Sequence, residues 1–100
     1  MVSEIRTVAA DRLWMSSAYG TDAVGLHFTW IRDQERVEAL LPALEATLFP
    51  LGARPHWGKL YLDRDGLVPS LYPKLADFRN LVNSLDPHGR FGNDFLTRLI

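Results

Sequence analysis

One hundred residues with a net charge of −1, 47% of them hydrophobic and 23% charged, leave room for one small core and no second one. Acids and bases are scattered along the chain, so no basic stripe meets a phosphate backbone, and nucleic acid is excluded as an expected partner. Cysteine is absent, which removes disulfides, thiolate nucleophiles and sulfur-ligated metals together. No apolar run approaches the roughly 20 residues that span a bilayer. The opening MVSEIRTVAADR also has no apolar signal core, so a cytoplasmic location without membrane contact is expected.

Residues 3–9 alternate polar and apolar and predict a strand, with Ile5 on one face and Glu4 and Arg6 on the other. A looser stretch, DRLWMSSAYGTD, closes on the turn-formers Gly20, Thr21 and Asp22. Residues 23–31, AVGLHFTWI, form the clearest strand. Val24, Leu26, Phe28 and Trp30 share one face, and Gly25, His27 and Thr29 share the opposite one.

Asp33 is placed to cap a helix that starts at Gln34, whose Val37, Leu40, Leu41, Leu44 and Leu48 make an apolar stripe. That helix is expected to cover the apolar face of the strands, with a kink at Pro42. FPLGARPHWGK then resists helix at Pro50, Gly52 and Pro55. Residues 59–62 are expected to extend as a short third strand, and 67–72 to form a turn of helix. Pro73 opens a second main helix over 74–85, with Leu75, Phe78, Leu81, Val82 and Leu85 apolar, and a last short helix is expected over 93–99. The class is α+β, a small antiparallel sheet covered by helices. So few strands leave unpaired edges, which points to a piece of a larger sheet or to self-association through those edges.

Glu4, Arg6, His27 and Thr29 converge on one face if both strands lie in one sheet, and Lys59 reaches that surface if the connection returns there. An acceptor, a bidentate cation, a titratable imidazole and a hydroxyl suit a ligand with several hydroxyl groups. The same residues also fit an ordinary solvated sheet face with a surface ion pair, and Trp57 in RPHWGK also fits a plain core plug. Asp63 and Asp65 in LDRDG lack the rest of a calcium-loop ligand pattern, and no metal is expected. None of the standard nucleotide or nucleophile signatures occurs.

Four segments in order, EIRTVAAD, LHFTW, ARPHWGK and LDPHGRFGNDFL, resemble the C-terminal end of the FAD-dependent sugar-alcohol and aldonolactone oxidases of the vanillyl-alcohol oxidase superfamily. Bacterial alditol (xylitol) oxidases are the most similar branch. The resemblance covers essentially the whole chain. It implies that residues 1–62 end a substrate-binding cap domain and that 63–100 form a C-terminal helical segment packed on the FAD domain. It also implies a polyol substrate, with Glu4, Arg6 and Thr29 binding it, His27 as general base, and Lys59 beside both the reacting oxygen and the flavin. Imidazole, with an ordinary pKa of about 6.5, suits proton abstraction near neutral pH.

The flavin-binding region of that family is not in these residues, so the chain alone is expected neither to bind FAD tightly nor to turn over. The alternatives are an aldonolactone oxidase fragment and a non-catalytic structural or interaction module that keeps the fold.

Overall fold

The computed structural model describes residues 2–100. Two strands, β1 (Val2–Val8) and β2 (Ala23–Thr29), form one antiparallel two-stranded sheet. Glu4 lies opposite His27, Ile5 opposite Leu26, and Arg6 opposite Gly25. Side chains alternate along each strand and match across the pair, so Glu4, Arg6, His27 and Thr29 occupy one face while Ile5, Leu26 and Phe28 occupy the other. The link between the strands is tied to itself. The Asp11 carboxylate accepts the Leu13 N–H at 2.9 Å, the Asp22 carboxylate accepts the Ala10 N–H at 2.8 Å, and Gly20 takes the left-handed conformation that closes the turn.

Helix α1 (Gln34–Leu48) begins where Asp33 accepts the Arg36 N–H at 3.2 Å, and it runs on through Pro42. Val37 and Leu41 are buried. Coverage of the sheet departs from expectation. Ile5 remains 75% exposed and Leu26 46%, because α1 borders the sheet across an open cleft of about 940 Å³ instead of lying flat on it. Leu26, Phe28 and Trp30 line one side of that cleft, and Leu41, Leu44 and Leu48 the other.

The expected third strand at 59–62 does not form. The amides at its two ends are engaged elsewhere: the Lys59 N–H closes a turn onto the His56 carbonyl, and the Glu45 carboxylate of α1 accepts the Leu62 N–H at 2.6 Å and, just beyond, the Asp63 N–H at 3.1 Å. A segment pinned at both ends by a turn and a side chain is not free to align as a ladder strand. Asp63, at φ 44°, then accepts the Leu67 and Val68 N–H groups and starts a 3-10 turn over Val68–Leu71.

Helices α2 (Leu75–Leu85) and α3 (Asp94–Thr97) complete the chain. Asn93 caps α3 by accepting the Leu96 N–H at 2.9 Å, and the Arg79 guanidinium of α2 donates twice to the Leu99 carbonyl. The hydrophobic core lies here. Val68 is fully buried, Tyr72, Leu75 and Leu99 nearly so, and Trp57, Tyr61 and Phe95 pack against them. No helix among the described residues is long and apolar enough to cross a membrane.

Candidate functional site

On the polar face of the sheet Glu4 is the hub. Its carboxylate pairs with the Arg6 guanidinium two residues along β1, and its Oε2 lies 3.8 Å from Nδ1 of His27 on the neighbouring strand. The Arg6 guanidinium, by hydrogen bond and charge, holds the Glu4 carboxyl below its ordinary range, with a smaller push in the same direction from His27. Near neutral pH this face therefore presents an anionic acceptor and an imidazole on one rung of the ladder, with a guanidinium fork two positions along.

His27 and Thr29 also line a groove of about 540 Å³ along the edge of β2, and Lys59 reaches it from the opposite wall. Phe28 and Trp30, stacked with centroids 5.4 Å apart, supply apolar walls. Glu4 and Arg6 are outside this groove and connect to it through His27. Among the described residues no carboxylate lies within ion-pair distance of Lys59. Nor do three histidines or carboxylates among them converge as a metal-ligand set.

Lys59 arrives at the groove because the stretch before it is anchored residue by residue. Arg54 donates through Nε to the Leu71 carbonyl at 2.8 Å and through a terminal nitrogen to the Tyr19 carbonyl at 3.1 Å, with its guanidinium over the Tyr72 ring. The Pro55 carbonyl accepts the Tyr72 hydroxyl at 3.3 Å. Trp57 is half-buried against the core, its indole N–H donating to the Met15 carbonyl at 2.7 Å and its ring 4.7 Å from that of Tyr72. Burial pushes the Tyr72 phenol up from its ordinary range.

Three features were not read from the sequence. Arg54 and Glu45 carry no assigned role in the sequence reading, and both turn inward to satisfy backbone groups on segments distant in the chain. Phe28 and Trp30 were assigned to a covered face, and they line both the cleft beside α1 and the groove. Only the cluster of cation, proline and tryptophan in RPHWGK hinted that Arg54 had structural work there.

The sequence is similar to those of known proteins. The chain is 45% identical over 97 residues to an alditol oxidase of Streptomyces sp. (strain IKD472 / FERM P-14339), an alignment that covers 97% of this chain and 23% of that protein. An L-gulono-1,4-lactone dehydrogenase of Mycobacterium tuberculosis (strain CDC 1551 / Oshkosh) is 30% identical over 97 residues, 22% of its own length. An L-gulonolactone oxidase of Mus musculus is 27% identical over 100 residues, again 22% of its length. The chain thus spans under a quarter of the curated relatives it matches. The family model described as D-arabinono-1,4-lactone oxidase matches residues 3–99, and the chain belongs to that family.

Proposed function

We propose that the chain is the C-terminal portion of a flavin-dependent oxidase that converts the terminal alcohol of a polyol such as xylitol or sorbitol to the aldehyde, with O2 as acceptor and H2O2 as the second product. The observation that carries this is the meeting of His27, Thr29 and Lys59 at one groove, with Glu4 of the Glu4–Arg6 pair directly across the ladder from His27. Residues 1–62 would end the substrate-binding cap, and 63–100 would pack on the FAD domain.

The groove suits the ring end of FAD. It offers an ammonium with no carboxylate partner among the described residues, aromatic walls, and a glycine, Gly58, in its lining. Lys59 would hold that end. When bound, the flavin supplies a two-electron sink for the hydride on the carbinol carbon.

His27 takes the hydroxyl proton. Glu4, 3.8 Å from Nδ1, favours the tautomer that carries its proton there and leaves Nε2 free as the base. Arg6 donates to, and Glu4 accepts from, hydroxyls further along the substrate, which fixes the reacting carbon. The Thr29 hydroxyl orients the substrate at the groove. The Lys59 ammonium stabilises the negative charge that develops on the reacting oxygen as the proton leaves.

A second reading, an aldonolactone substrate, is supported by the description of the matching family model and by the name of the Mycobacterium tuberculosis relative. Both readings are tested by building this chain into the Streptomyces alditol oxidase in place of the matching segment. The flavin-loaded chimera is expected to release peroxide faster with xylitol than with a gulono- or arabinono-lactone. His27→Asn should lower kcat by roughly a hundredfold to ten-thousandfold. Near-normal kcat in His27→Asn would remove the base assignment, and a faster lactone reaction would replace the polyol.

A further inference from the structure

We infer that His56 is a positioning residue that sets where Lys59 reaches, acting through the turn it clamps and not on the substrate. The inference rests on the reading that Lys59 meets the reacting oxygen.

The turn 56–59 is held at two of its amides, those of Gly58 and Lys59, by one residue. The Gly58 N–H donates to Nδ1 of the His56 ring at 3.0 Å, and the Lys59 N–H donates to the His56 carbonyl at 3.0 Å. A β carbon on Gly58 would lie 3.4 and 3.5 Å from Cε1 and Nδ1 of that ring, so the imidazole rests against a residue with no side chain of its own. Between them Trp57 is fixed in the core through the Met15 carbonyl and the Tyr72 ring.

The Lys59 side chain has no hydrogen bond or ion pair among the described residues. Its four-carbon stem is therefore aimed only by the backbone that carries it. A ring nitrogen accepting from the Gly58 amide does for this turn what an Asx side chain does for others: it removes competing conformations of the two residues before the lysine. Accepting at Nδ1 requires the tautomer with its proton on Nε2, or an equivalent acceptor at the same place. His56 borders the wider cleft beside α1, which His27 and Lys59 also line, but it is not among the residues of the groove where those two meet Thr29, and its ring nitrogen Nδ1 is taken by the Gly58 amide.

The geometry distinguishes three substitutions. The Oδ1 of asparagine occupies nearly the position of Nδ1, glutamine puts its acceptor where Nε2 was, and alanine has neither. Amide hydrogen exchange in the 100-residue chain should show the Gly58 N–H exchanging roughly fivefold to tenfold faster in His56→Ala and His56→Gln, and near the wild-type rate in His56→Asn.

In the chimera, kcat should fall by a similar factor in His56→Ala, with KM for xylitol little changed, and should recover in His56→Asn. His56→Ala should cost nothing further once Lys59→Ala is present. Unchanged Gly58 exchange in His56→Ala, rescue by glutamine instead of asparagine, or an additive loss in the double variant would each overturn the inference. If Lys59→Ala leaves turnover intact, the role of Lys59 falls instead, and the exchange data alone decide the clamp.

Discussion

The two halves of this molecule hold themselves together differently. Around Val68, Tyr72, Leu75 and Leu99, aromatic rings interlock: Trp57 lies 4.7 Å from Tyr72 and edge-on to Phe95. The sheet has no comparable packing. Every residue of β1 is exposed, and the strands are joined chiefly by their own ladder. A two-stranded sheet in water is marginal by itself, since it buries too little apolar surface to offset the entropy of ordering it. The candidate site straddles the two, with Glu4, Arg6, His27 and Thr29 on the lightly buried sheet and Lys59 on a turn rooted in the core by Trp57. Its polar face is legible in a strand pattern, while its lysine depends on tertiary anchoring.

Substitutions that strike each half should separate them. The largest effect is expected from Trp57→Ala, which removes the ring between Tyr72 and Phe95 and leaves the Met15 carbonyl without its donor. Destabilisation of about 3–5 kcal/mol in denaturant unfolding is expected. A loss under 1 kcal/mol would mean that the core does not centre on this residue.

Glu45→Ala comes next. It leaves the Leu62 and Asp63 amides without their acceptor and should cost about 1–3 kcal/mol, with faster exchange at those two amides as the independent check. Ile5→Ser should change stability by no more than about 0.5 kcal/mol, because the side chain it replaces is 75% exposed. A loss as large as that of Glu45→Ala would show that the apolar face of the sheet is covered after all.

The subtlest test is a titration. With its folded pKa below the ordinary 4.5, Glu4 favours the folded sheet most above that value, and the contribution fades as pH falls through the depressed folded pKa. The Glu4 carboxyl should therefore titrate below 4.5 by NMR and move back up in Arg6→Ala. No movement in that variant would show that Arg6 is not the cause.

Much of this architecture is visible before any coordinates. The alternation in AVGLHFTWI put His27 and Thr29 opposite Leu26 and Phe28, and the observed register agrees. Asp33 was marked as the cap of α1, and its carboxylate accepts the Arg36 N–H. Trp57, one of two readings for RPHWGK, is in the core. The two failures share a cause. Periodicity says which residues want burial but not where a partner surface stands, so α1 was laid on the sheet when it borders an open cleft. Likewise a β-prone run at 59–62 says nothing about whether its amides are free, and the 56–59 turn and Glu45 engage those at its two ends.

By itself, then, the amino-acid order determined the two paired strands, the main helices, their faces and the chemical inventory of the site, because side-chain period and capping are local properties of the chain. Only the tertiary structure decided that Lys59 comes to the groove of His27 and Thr29, and that His56 holds the turn that brings it there. Those contacts join residues some thirty positions apart or fold a side chain back on its own backbone, and no local pattern encodes either.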